Sequence, residues 1–227
     1  MDNKQKVDFR NLFFLAGAVV LLMFVISGYV WIQIPEGEQV CTSWSASGAC
    51  LESGNKFITI YWIPIITAGL VGLFPLLSRF ESRPANVLAS HKALATMGTT
   101  MLLFVLVFHT ILMREIMGHT GGIGTYWPIL AGLVTVVLGN YLGKIQQNDF
   151  IGIRTPWTMA SEQSWNKTHR LGGRLMVLLG ILFMAGTIVF EGDGWFYFLL
   201  GGALLLVVVV TVYSYIIWKN DADVRPV

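Results

Sequence analysis

The sequence predicts an all-α, polytopic membrane protein of six transmembrane helices with both termini in the cytoplasm, and three observations predict it. Only 12% of the 227 residues are charged, against about a quarter in a soluble domain. Six apolar runs reach or approach the roughly 20 residues that cross about 30 Å of hydrocarbon as helix, the regular structure that satisfies backbone polar groups within one segment. The basic residues fall almost entirely on alternate connections.

The spans are expected near Leu12 to Ile32, Ile58 to Leu77, Ala93 to Met113, Tyr126 to Ile145, Leu171 to Phe190 and Phe196 to Trp218. The fourth is the weakest, because it carries Asn140 and several glycines. The first follows a basic flank but exceeds a signal-peptide h-region, and no A-x-A-like site follows it, so it reads as a retained span. With six crossings, Lys4, Lys6, Arg10, Arg79, Arg83, Lys92, Lys144, Arg154, Lys167, Arg170, Arg174, Lys219 and Arg225 share one side. Only Lys56 and Arg114 lie on the other. Five or seven crossings would place the tail or the basic fourth connection outside, against the positive-inside bias. Trp31, Tyr61, Trp62, Tyr126, Trp127, Trp195, Tyr197, Tyr215 and Trp218 sit near span ends, where amphipathic rings prefer the headgroup level. The net charge of +2 follows from this topology. No basic stripe interleaved with aromatics points to nucleic acid, so direct binding to it is not expected.

The first outside loop, 33–57, holds both cysteines, Cys41 and Cys50. A bridge between them would close a small loop in a compartment that permits oxidation; the alternative is two free thiols in an unstructured loop. A zinc site needs more ligands, and none of His91, His109, His119 or His169 is spaced with another His or Cys for one. No metal or cofactor is expected. The second connection, Ser78 to His91, reads as a polar turn around Arg83 and Pro84. The third, near Arg114 to Thr125, carries Glu115 and His119 before Gly121, Gly122 and Gly124. These glycines lack the Gly-Lys-Ser/Thr ending and preceding strand of a phosphate loop and read as flexible turn residues.

Within the spans, His109 is either a polar contact to a neighbouring helix or a proton carrier, and no intramembrane carboxylate partners it. Asn140 suits interhelical hydrogen bonding, and Gly139 with Gly143 forms a small-xxx-small pair suited to close packing.

The fourth connection, Lys144 to Arg174, reads KIQQNDFIGIRTPWTMASEQSWNKTHRLGGR and is chemically the densest stretch. Phe150, Ile151, Ile153 and Trp157 are too apolar for a solvated loop, so the segment should fold back on the helix ends or the membrane interface. Arg154 is placed to grip an anionic headgroup, a carboxylate or helix-terminal carbonyls, or simply to anchor the loop. Pro156 biases Thr155 away from helix, and Thr158 can cap a short helix from Met159 to about Leu171. On it Ser161, Trp165 and His169 fall at i, i+4 and i+8, with Asn166 and Arg170 on an adjoining stripe. That surface suits recognition or helix docking. As catalysis it lacks an acidic orienter, and Ser161 lies two turns from His169. The sequon Asn166-Lys167-Thr168 is a chance match at a cytoplasmic position.

Phe150, Gly152, Arg154, Thr155, Pro156, Trp157 and Thr158, then Ser161 and Glu162, then Trp165, Asn166, Thr168, His169 and Arg170, and finally Gly172 and Gly173 resemble the signature of SdpI-type membrane proteins. The resemblance extends upstream through the first span and its outside loop. There relatives carry a Pro-x-His-Trp-Asn-like stretch and an Asp-Gly-Tyr-Gly turn, whereas this chain keeps only Trp44, Gly48, Gly54, Lys56 and Phe57. It implies a two-helix unit over residues 1–90 with a divergent outside loop, followed by a four-helix unit over 91–227 that holds the 144–174 loop. It also implies a non-enzymatic bacterial immunity protein, with membrane lipids, a secreted peptide toxin and a cytoplasmic transcriptional repressor as partners. A small transporter and a lipid-acting membrane enzyme are the rival readings.

Overall fold

The computed structural model describes residues 9–45, 49–77, 80–119, 122–189 and 194–222. Lys4, Lys6, Gly48, Arg79, Gly121, Arg225 and the side chain of Trp195 lie outside the described residues. The fold is all-α and polytopic. Its long helices are α1 (Arg10–Gln33), α2 (Lys56–Leu77), α4 (His91–Ile116), α5 (Gly122–Leu142), α7 (Glu162–Val189) and α8 (Gly194–Lys219). Two short helices, α3 (Pro84–Ala89) and α6 (Pro156–Ala160), lie in connections. Five of the six long helices are long and apolar enough to cross a membrane, and the apolar part of α5 is shorter, Tyr126–Leu142. Those 17 residues rise about 25 Å as helix, a little less than the hydrocarbon thickness.

The helices pack in the order α2, α1, α4, α5, α7, α8. Large apolar side chains such as Phe14, Leu21, Ile58, Leu70, Leu204 and Leu205 point outward and are exposed, as lipid-facing surface must be. One core gathers Val19, Met23, Val30, Ile60, Ile63, Leu112 and Met113 between α1, α2 and α4. Inside it, the Ser27 hydroxyl donates to the Ile60 carbonyl at 3.0 Å. His109 Nε2 lies 3.1 Å from Ser27 Oγ and 3.3 Å from the Met23 carbonyl. A carbonyl only accepts, so Nε2 carries the proton, and His109 serves as a polar tie from α4 to α1.

A second core, Ala93, Leu94, Leu142, Ile145 and Trp165, lies at the other end of the bundle and sets the platform for the 144–174 segment. The α5–α7 pair beside it is the most extensive in the molecule. A Cβ on Gly132 would sit 2.6 Å from the Gly180 carbonyl oxygen, and one on Gly173 would sit 2.5 Å from that of Gly139. The two antiparallel backbones therefore touch through glycines spaced seven apart on each helix, a separation that returns them to one face.

The connection between α1 and α2 is structured, which the sequence reading did not anticipate. Strands β1 (Val40–Trp44) and β2 (Cys50–Gly54) pair antiparallel, and a disulfide joins Cys41 to Cys50 across the hairpin. Lys56 closes its base, donating to the Ile34 carbonyl with its ammonium 4.2 Å from the Trp31 ring centre. Trp44 packs on the first core. Apart from Val40, Thr42 and Trp44, little in Val40–Gly54 marks it as strand.

Candidate functional site

The segment between α5 and α7 folds back against the helix ends, and its polar residues bond backbone groups. Asn148, only 2% exposed, organises the turn. Its Oδ1 accepts from the backbone N–H groups of Phe150 and Ile151 at 2.9 and 2.8 Å. Its Nδ2 donates to the carbonyls of Gln146 and Ile151, both at 3.0 Å. Gln147 Nε2 donates to Thr158 O and Met159 O at 2.7 and 2.9 Å, which holds α6 against the turn. Neither residue stood out in the sequence, where an amide in a polar stretch reads as solvated.

The α3 connection braces the same turn. Asn86 Nδ2 donates to Gln147 O at 2.8 Å, and the backbone N–H of Gln146 donates to Ser90 Oγ at 2.8 Å. Asp149 accepts from the hydroxyl of Ser82 and from its backbone N–H. Those two bonds, the hydroxyl first, hold the Asp149 carboxyl below its ordinary range. Arg83 approaches at 3.9 Å, a long, partly solvated ion pair that adds little.

Trp165 and His169 form the centre. Trp165 is fully buried and His169 is 1% exposed, and their rings stack with centroids 3.9 Å apart. Indole Nε1 donates to Ile145 O at 2.8 Å. The backbone N–H of Ile153 donates to His169 Nε2 at 2.9 Å, and His169 Nδ1 lies 2.8 Å from Trp165 O. Nε2 accepts, so Nδ1 carries the proton and the imidazole is neutral; adding a proton at Nε2 would set two N–H groups against each other. Gly152 passes over this stack at φ +134°, and a Cβ there would meet His169 Nε2 at 2.4 Å and Trp165 Cη2 at 2.9 Å. Both its backbone conformation and its lack of a side chain are required.

The local helix boundaries differ from those expected. Thr155, not Thr158, is the N-cap, Pro156 follows at the first helical position, and Thr158 completes a capping box from the third. α6 then stops at Ala160, and Ser161 caps a new helix by accepting from the Ser164 N–H at 2.9 Å. That helix, α7, continues unbroken through Gly172 and Gly173 into the span. These glycines are packing positions. Gly173 meets α5, and a Cβ on Gly172 would meet Ile153 at 2.6 Å.

The expected stripes of α7 face opposite environments. Trp165 and His169 are buried, while Asn166 and Arg170 are exposed. Arg154 is exposed too, and Phe150 and Trp157 are half-buried, with Trp157 lying edge-on to Tyr215 at 5.2 Å. Asn140 is exposed on α5. α8 joins through Thr155 Oγ1, 2.9 Å from Ser214 Oγ, and through Ser164 Oγ, which donates to Ser214 O at 2.8 Å. Ser161 meets the Asp221 carboxylate. An acid therefore does reach Ser161, but His169 spends both ring nitrogens on backbone groups, so serine and histidine form no nucleophile–base pair.

The fold and this segment define a multi-pass membrane protein whose α5–α7 connection is a folded plug bonded to α3, α7 and α8. Comparison with known proteins finds a likeness centred on this segment. Residues 144–214, from the plug into α8, match the model of the SdpI/YfhL protein family. The chain is 27% identical over 165 residues, 72% of its length and 75% of the relative's, to the immunity protein SdpI of Bacillus subtilis (strain 168). No solved structure matches the chain. The chain is thus a multi-pass protein of the cytoplasmic membrane that is similar to the SdpI family from the plug into α8.

Proposed function

We propose that this chain is a membrane immunity protein that protects its cell against a secreted peptide toxin. The observation that carries the reading is the 27% identity to an immunity protein over 72% of the chain, a stretch too long to be confined to the signature segment. The plug supports a binding role rather than a catalytic one, because the Gln147 and Asn148 amides, the Trp165 indole and both ring nitrogens of His169 are engaged with backbone groups.

In this proposal both termini are cytoplasmic, in keeping with the basic bias toward the plug side. The disulfide hairpin then lies outside, where oxidised cysteines persist. The 1–90 unit, through its hairpin and membrane-facing surface, meets the toxin. The 91–227 unit carries the plug, which stabilises the bound arrangement of helices. The exposed Arg154, Asn166 and Arg170 give the cytoplasmic end polar groups free for a partner. On that ground we include a receptor role, holding a transcriptional repressor at the membrane, in the same proposal.

The test is survival. A toxin-sensitive strain lacking its own immunity protein is exposed to the secreted peptide of a producing strain, with and without this chain. Protection by the expressed chain is expected. Equal killing in both, at matched membrane levels of the protein, sinks the reading.

A further inference from the structure

On the outer side of the α5–α7 seam lies an open groove of ≈ 370 Å³ lined by Asn140, Lys144, Arg170 and Arg174. It exists because of the glycines. Gly139 and Gly173 bring the two backbones into contact, and Gly143 lies against Arg170, where a Cβ would be 3.3 Å from its Cα. Side chains that would stand farther apart on an ordinary helix pair are thereby gathered around one opening.

The charge in this groove is one-sided. No Asp or Glu lines it. Arg170 and Arg174 are exposed and stand one turn apart, a like-charge arrangement that is unfavourable on an isolated helix. Lys144 adds a third cation from the end of α5, its ammonium 4.2 Å from the Tyr141 ring centre. Arg83, by contrast, has the Asp149 carboxylate beside it. An anion would turn the groove from a repulsive cluster into a satisfied one.

The surroundings say which anion. Below Arg174 on the same helix, Leu178, Ile181 and Leu182 are 54%, 49% and 41% exposed. They follow it by four, seven and eight residues, so they continue its stripe toward the bilayer interior. A ligand with an anionic head and apolar tails would meet cations and exposed apolar surface together. Basic pockets between transmembrane helices at the membrane boundary are suited to such headgroups.

We propose that this groove is a binding site for one anionic phospholipid, whose phosphate is held by Arg170 and Arg174 with Lys144 and Asn140 at the rim, and whose chains lie along the exposed leucine face of α7. The site does not rest on the immunity reading, but it takes up Arg170 and leaves Arg154 and Asn166 for a cytoplasmic partner.

The full chain, purified in a neutral detergent, is titrated by native mass spectrometry with phosphatidylglycerol, with phosphatidylcholine of the same acyl chains and with inorganic phosphate. Phosphatidylglycerol should bind most tightly. Arg170→Gln with Arg174→Gln should weaken it roughly 25-fold, about five-fold per cation removed, with phosphatidylcholine unchanged. Arg170→Lys with Arg174→Lys should retain it to within about three-fold, since a headgroup phosphate is also held by point charge. Should the double glutamine variant not fold, Lys144→Gln alone should still show a measurable loss. Unchanged phosphatidylglycerol affinity in the glutamine variants overturns the site, and inorganic phosphate binding as tightly as the lipid overturns its assignment to a lipid.

Discussion

The α1–α2 and α5–α7 connections are held together in opposite ways. The α1–α2 connection is a hairpin closed by one covalent bond, and most of β2 is exposed, from Cys50 through Ser53. The α5–α7 connection has no covalent tie among its described residues. It relies on side chains that bond backbone groups across 11 to 68 residues of sequence, as with Gln147 to Thr158 and Asp149 to Glu81, all around a buried indole. A crosslink leaves the intervening residues free to change, because the constraint does not depend on them. A plug of mutually bonded residues is specific at nearly every position. The family match begins at residue 144, where this plug starts.

The comparison makes predictions of decreasing size. Trp165→Ala should cost the most, about 3–5 kcal/mol, as for other buried tryptophans. It removes the ring on which His169 and Gly152 rest and leaves the Ile145 carbonyl without its donor. Thermal unfolding in detergent, with proteolysis near Arg154 as a local probe, measures it. A variant as stable as the parent would mean that the plug does not depend on its centre.

Asn148→Ala should cost about 2–3 kcal/mol, because it strands two backbone N–H groups and removes donors from two carbonyls in a buried turn. The same unfolding experiment reads it. Asn148→Asp separates geometry from charge: it keeps the acceptor for Phe150 and Ile151 but loses both donated bonds, so an intermediate loss is expected.

The smallest effect on the whole bundle should come from Cys41→Ser with Cys50→Ser. The bridge closes a separation of nine residues, so its loop-entropy contribution of about 3 kcal/mol acts on the hairpin. The helices should unfold within about 0.5 kcal/mol of the parent, since local opening need not propagate. Protease sensitivity between Val40 and Gly54 should rise clearly. A bundle destabilised as much as in Asn148→Ala would erase the contrast between the two connections.

The parts of the site are unevenly legible in the sequence. Gly152, Thr155, Pro156, Thr158, Trp165 and His169 stand out in the sequence through their resemblance to a family signature, which carries no geometry. Asn148, Gln147 and Ser90 do not, because their partners lie in other segments and an isolated amide or hydroxyl looks like ordinary loop polarity. The facing of α7 was misread for a similar reason. Trp165 and Asn166 are neighbours in sequence, but a turn of about 100° per residue separates a buried ring from an exposed amide.

The sequence by itself determined that this chain is a multi-span membrane protein and where its spans fall, because hydrocarbon forces each crossing segment to satisfy its own backbone. It also marked part of the plug, Trp165 and His169 included, but not Asn148 or Gln147. Only the tertiary structure decided that Gly139 meets Gly173, that Arg170 and Arg174 share a groove, and that His169 is spent on Ile153. Each of these depends on contacts between segments far apart in the chain, and local composition carries no record of them.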